Sequence, residues 1–235
     1  MLELYLHDLF ARLFTWAERF TVGRYWKWKA AALFVPLSLV VACPSLTSVD
    51  SGKWADKWEA ISIQAEAPFT PHDYASDSHF SKLAFRLTVP LVAHLLHLGK
   101  SGCIGLMLVC LFGLFYFLAG LAEGALAGRP DAFILTLSAC FIFLGNVLLS
   151  DMRALFDVVS FVLMAAAMYT RSSFVLVPTL LLSFFNDERA LIASPLILLW
   201  HLVQGRSVPT FRELFRTALL AWMVPVFWAI YFALR

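Results

Sequence analysis

Apolar residues recur at helical spacing from the start of the chain. Leu6, Leu9, Phe10, Leu13, Phe14 and Phe20 are interleaved with Asp8, Arg12, Glu18 and Arg19. That pattern predicts an amphipathic helix within residues 1–29, lying in the plane of a membrane interface. It runs into Tyr25-Trp26-Lys27-Trp28-Lys29, whose rings and ammonium groups suit the headgroup level. This stretch has no continuous apolar core and no small-residue cleavage site, so it does not read as a signal peptide.

Continuous apolar runs then replace the alternation. Residues 30–43, 103–121, 132–149, 156–169, 174–185, 191–203 and 218–234 read as spans, several near or below the usual lower limit of about 17 residues. Pro44 is expected to close the first. The polar stretch at 45–82 predicts a short surface helix at 50–61, with Trp54 and Trp58 dipping into the interface, and irregular loop around Pro68 and Pro71. Segment 83–98 is apolar but short, and it carries Arg86, Pro90, His94 and His97, so a re-entrant or interfacial helix is expected there.

The expected fold is therefore all-α: a polytopic integral membrane protein with about seven short transmembrane helices, the N-terminal amphipathic helix and the interfacial one. Residues 1–29 form the interfacial helix. Residues 30–235 form a single helical membrane domain with a long extracytoplasmic loop at 45–82.

Composition sharpens the class. Of 235 residues, 61% are hydrophobic and 14% charged, and Phe alone occurs 22 times. Soluble chains average about 45–50% apolar and about 25% charged, so a water-soluble domain, disorder and collagen-like repeats are all excluded. A net charge of +2 gives no basic footprint for nucleic acid. Cys43, Cys103, Cys110 and Cys140 sit in apolar stretches without a CxxC or Cys/His cluster and read as small packing residues.

Charge also orients the chain. With the N-terminus cytoplasmic and 83–98 not crossing, the inside carries 10 Lys/Arg and 6 Asp/Glu, and the outside 8 and 10. If 83–98 crossed, the basic residues would divide roughly evenly, so the positive-inside rule favours this topology. The expected location is a bacterial-type inner (plasma) membrane.

That topology gathers three polar clusters on the outer face. One is His72-Asp73-Tyr74 with Asp77-Ser78-His79, Lys82 and Arg86; the second is Asp151, Arg153 and Asp157; the third is Asn186-Asp187-Glu188-Arg189. Ionisable groups at helix ends in so apolar a chain are costly unless they meet each other or water, which points to a shared polar cavity. Plainer readings stand beside it. Asp187 and Glu188 suit an N-cap for the following helix. Asp151 and Arg153 suit an exposed local ion couple. Asp157, hemmed in by Leu155, Phe156, Val158 and Val159, resists such an explanation. Asp77 suits an N-cap as well as a base, and Lys82 and Arg86 share one helix side, an arrangement fit for a phosphate-bearing ligand. His94 and His97 lack a third ligand at suitable spacing, so packing or interfacial hydrogen bonding is expected of them and no metal. No HExxH, GxSxG, Gly-rich phosphate loop or HxxxH pair is present. No half-to-half repeat supports a transporter, although Pro178, Pro195 and Pro225 interrupt successive spans.

The layout resembles the membrane core of the GT-C glycosyltransferases. The residues that carry the likeness are Asp77-Ser-His-Phe-Ser-Lys-Leu-Ala-Phe-Arg-Leu-Thr-Val-Pro90 and Phe185-Asn-Asp-Glu-Arg-Ala190. The resemblance implies transfer of a sugar from a lipid-phosphate carrier in an extracytoplasmic-facing cavity. Asp77, or else Asp50, would deprotonate the acceptor with His79 nearby. Lys82, Arg86, Asp157, Asp187, Glu188 and Arg189 would line the substrate site, with Arg86 and Arg189 on the lipid phosphate. The chain departs from the family's pattern: it is shorter, lacks a soluble C-terminal domain, and has no paired acidic motif after its first span, so no metal or other cofactor is expected. Membrane lipids, a polyprenyl-phosphate sugar and partner membrane subunits are the expected partners. The alternatives are a non-catalytic subunit or scaffold of a larger membrane complex, and a small transporter.

Overall fold

The computed structural model describes residues 2–70, 86–141, 147, 151–170, 172–204 and 226. Among the described residues the chain is all-helical, with no strand. The helices are α1 Leu2–Phe20, α2 Trp26–Asp50, α3 Ala55–Glu66, α4 Thr88–Leu96, α5 Lys100–Ala125, α6 Arg129–Ala139, α7 Asp157–Tyr169, α8 Ser173–Asn186 and α9 Glu188–Gln204.

Two helices are long and apolar enough to cross a membrane, α5 over its whole length and α2 over Trp26–Cys43. In α5 the buried residues Cys103, Met107, Leu111, Leu114, Phe115, Ala119 and Ala122 make a stripe at three- and four-residue steps. The opposite face is apolar too, and Val109 lies exposed on it.

Several predicted boundaries move. The first apolar span ends at Cys43 as expected, but the helix does not stop at Pro44. α2 continues to Asp50 and its ladder resumes beyond the proline, Ser51 N–H bonding the Thr47 carbonyl at 3.0 Å. The expected surface helix at 50–61 is displaced to Ala55–Glu66, because Gly52 adopts φ 78° and turns the chain between the two helices. Trp58 does not dip into an interface. It is buried, packs edge-on against Phe156 at 5.7 Å and donates its indole N–H to the Met152 carbonyl at 3.2 Å. Within the expected 132–149 span, the described helix is Arg129–Ala139. The expected span at 218–234 lies almost wholly outside the described residues, and so does the start of 83–98.

The bundle has two ends. α2 runs antiparallel to α5, with Trp26 Nε1 donating to Glu123 at 3.3 Å at one end and Lys100 Nζ to the Val49 carbonyl at 3.2 Å at the other. α5 and α7 run parallel: a Cβ on Gly113 would lie 3.1 Å from Val162, and one on Gly120 would lie 2.5 Å from the Tyr169 ring. α8 returns antiparallel along α7, and α9 follows α7 again, His201 reaching the Ala167 carbonyl at 2.9 Å. Between the ends the core is aromatic, centred on Phe34 with Phe115 and Phe133 at 5.4 and 5.2 Å.

Phe34→Ala removes the ring that joins α2, α5 and α6. A loss of about 3–5 kcal/mol is expected, measurable as a lowered unfolding midpoint of the detergent-solubilised protein.

Candidate functional site

The site begins with a backbone that cannot cap itself. Helix α7 opens at Asp157, and its N-cap position is Phe156, which has no polar side chain and sits at φ 56°. Ala154 also takes a positive φ, 61°, a costly conformation for residues that carry a Cβ. Asp151 supplies the missing cap from six residues upstream. Its carboxyl oxygens accept the N–H groups of Asp157 at 2.6 Å and Val158 at 2.9 Å. Asp151 is fully buried, and that burial pushes its carboxyl up to about 8, aided by neighbouring Asp157 and opposed by the two N–H bonds and Arg86.

Arg86 reaches this turn from the segment before α4. It donates to the Leu155 carbonyl and pairs with Asp157 at 3.1 Å and Asp187 at 3.8 Å. Arg189 closes the square, 2.8 Å from Asp157 and 2.5 Å from Asp187. Asp187 also accepts the Arg189 backbone N–H at 2.9 Å, so the expected capping role at the head of α9 is present together with the cluster. Burial pushes the Asp187 carboxyl up. The Arg189 side-chain and backbone bonds, with Arg86, outweigh it and hold the group below the usual range.

Asn186 and two serines complete the polar layer. Asn186 Nδ2 donates to the Phe156 carbonyl at 2.8 Å and to Ser160 Oγ at 2.9 Å. The Ser160 and Ser183 hydroxyls each donate to the other's carbonyl at 3.3 Å. The last turn of α8 is satisfied from α4: Leu87 N–H bonds the Phe185 carbonyl at 2.7 Å and Thr88 Oγ1 the Leu182 carbonyl at 2.6 Å. Three separate segments are thus tied at one point.

The two arginines differ. The Arg86 side chain is 16% exposed and that of Arg189 is 61% exposed. Asp187 and Arg189 sit at one edge of a 640 Å³ cavity whose other walls are almost wholly apolar, running past Ser160, Phe161 and Met164 to Leu121, Ala125 and Trp200. This arrangement can hold an amphiphile, apolar in the cavity and anionic at Arg189.

Of the residues named from sequence, Arg86, Asp157, Asp187 and Arg189 converge here. Asp77, His79 and Lys82 lie outside the described residues. Asp50 ends α2 and Glu188 opens α9, both placed by backbone alone. The expected Asp151–Arg153 couple does not form, because Asp151 turns inward to cap α7 while Arg153 lies 5.0 Å over the Trp54 ring. Asn186 stood in the third cluster without a stated role, and Ser160 was missed, since nothing in an apolar run marks a hydroxyl as part of a polar layer. His94 is exposed and meets the Ala65 carbonyl at 2.8 Å, and His97, also exposed, ends α4 in a left-handed conformation.

No protein-family model matches the chain, and no curated protein or solved structure does.

Two outcomes follow. Arg86→Ala leaves two carboxylates half-compensated in a buried place and is expected to cost about 3–5 kcal/mol. Arg189→Ala, at an exposed position, is expected to cost about 1 kcal/mol or less; equal losses in denaturation midpoints would refute the asymmetry. The folded Asp151 carboxyl releases its proton at about 8, whereas an unfolded one does so near 3.9. Its contribution to stability is present in acid and is lost as pH rises through that window, and Asp151→Asn is expected to flatten this fall in a pH series of melting curves.

Proposed function

We propose that the chain is a polytopic membrane protein of about seven short spans, with a cytoplasmic N-terminus, that handles a lipid-phosphate-linked sugar at an extracytoplasmic cluster. In this reading it transfers the sugar in the manner of GT-C enzymes. Asp77, or else Asp50, takes the acceptor proton, with His79 nearby. The sugar–phosphate bond then breaks as the acceptor oxygen attacks, and the bonding electrons leave with the lipid phosphate, which a guanidinium stabilises. Both arginines pair with Asp157 and Asp187; Arg189 suits that role because most of its side chain is exposed, while the part-buried Arg86 positions the carboxylates.

One observation carries the reading. Arg86, Asp157 and the Asp187–Arg189 pair come from three separate stretches of a charge-poor chain and meet beside an apolar cavity. Ionisable groups gathered within apolar surroundings are a functional signature by default.

A second reading has its own support. All four charges are paired with one another, as a purely structural clasp would have them. Phe174, Ile192, Val203 and Leu196 stand exposed on α8 and α9, as in a subunit that packs against a neighbour. Trp58 is buried and offers no contact to such a neighbour.

The deciding experiment measures consumption of a radiolabelled polyprenyl-phosphate sugar by membranes containing the wild type, Asp77→Asn or Arg189→Gln. Loss of at least about tenfold in both variants, with expression and melting unchanged, is the expected result; one lost hydrogen bond to a charged group accounts for that much. Turnover unaffected by either change, with the protein migrating only within a larger complex, would leave the subunit reading in its place.

A further inference from the structure

A second charged feature at the same end of the bundle takes no part in the ion cluster. Three cations surround one indole: Lys57 Nζ lies 4.9 Å from the Trp54 ring centre, the Arg153 guanidinium 5.0 Å and Lys53 Nζ 5.5 Å. They arrive from two places in the chain, the Gly52 turn leading into α3 and the turn after Asp151. Lys53 and Arg153 are exposed, and Trp54 and Lys57 half-buried. Asp56 and Glu59 are exposed on the same helix, yet among the described residues none of the three cations forms an ion pair with a carboxylate.

Ring faces attract cations, but three cations on one ring repel each other, and the ring carries no net charge to offset them. The Trp54 seat is held from beneath. Trp58, one turn along α3, is buried against Phe156 and bonded to the Met152 carbonyl, which fixes α3 over the turn that carries Arg153. The cations therefore keep company because the fold brings them together. An indole beside cations at the water-facing end of an apolar bundle has the make-up of a headgroup-level anchor. A guanidinium resting on a ring keeps its N–H edges free for phosphate, and ammonium groups add point charges beside it.

We propose that Trp54, Lys53, Lys57 and Arg153 form a seat for the phosphodiester headgroup of an anionic lipid, separate from the Arg86–Asp157–Asp187–Arg189 cluster. The seat rests on the membrane reading and is independent of sugar transfer. It fixes the depth and tilt of α3 against the lipid surface, and with it the roof of the turn that opens α7.

The test uses the full chain in detergent, supplied with phosphatidylglycerol or phosphatidylcholine, with retained lipids counted by native mass spectrometry. The wild type is expected to prefer phosphatidylglycerol by about tenfold or more, since each basic residue near an anionic surface adds to its hold. The triple variant Lys53→Gln, Lys57→Gln, Arg153→Gln is expected to lose that preference while its melting is unchanged. Equal retention of the two lipids by the wild type, or an undiminished preference in the triple variant, would overturn the proposal. Displacement of the lipid by millimolar inorganic phosphate would also overturn it, by marking the seat as a site for a free anion. Extraction of the wild type from membranes by alkaline carbonate would sink the membrane premise itself, an outcome separate from failure of the seat.

Discussion

Pairing of Arg86 with Asp157 and Asp187 is the interaction on which the rest of the described structure leans. A charged side chain removed from water costs several kcal/mol unless partners restore what solvent gave. Here the partners come from three segments: the residues before α4, the head of α7 and the junction of α8 with α9. None of these segments can leave without stranding a charge. The same place absorbs the strained turn at Ala154 and Phe156, because Asp151 and Arg86 take up the N–H and C=O groups that the turn would otherwise leave bare.

A second ion cluster marks the opposite end. Glu123 meets Lys27 at 3.0 Å, Arg129 at 2.7 Å and the Trp26 indole, while Lys27 lies near the rings of Tyr116 and Tyr169. Between the two clusters the packing is apolar and aromatic, so charge defines the ends and rings fill the middle. The ends are not level, however. Gly113 and Val162 lie side by side, so α7 opens about 12 Å further into the bundle than α5 does, at 1.5 Å per residue. The short helices end where they do because the ion cluster stands at that depth, and Asp157, Asn186 and Glu188 are the residues at their ends.

Much of this was legible in the amino-acid order. Runs of apolar residues separated by Arg129, Thr170–Arg171 and Asn186–Asp187 reveal the helices and their order, since a helix in an apolar setting stops where charge must be accommodated. Asp157 stood out because four apolar neighbours made an exposed carboxylate implausible. The sequence was less informative wherever a proline or a short polar residue had two uses. Pro44 lies within α2 because surrounding backbone bonds carry the helix past it. Asp151 and Arg153, two residues apart, look like a local pair, but the turn sends one inward and the other onto Trp54. Direction of that kind depends on φ at Ala154 and Phe156, which no spacing rule contains.

The difference between the two arginines bears on what the cluster is for. A clasp alone requires only enough positive charge to balance Asp157 and Asp187, and a buried pair is held best by buried cations. Arg86 fits that description. Arg189 touches both carboxylates as well, yet most of its side chain faces outward, at the rim of a cavity with apolar walls. Its backbone N–H also bonds Asp187 at 2.9 Å, and that bond survives rotation of the guanidinium, whereas the side-chain bonds to Asp187 and Asp157 do not. An anion arriving at the rim would compete for the one cation whose departure leaves the carboxylates still paired to Arg86. The cluster is thus built in two tiers, an inner arginine that holds the helices together and an outer one whose release leaves that hold in place.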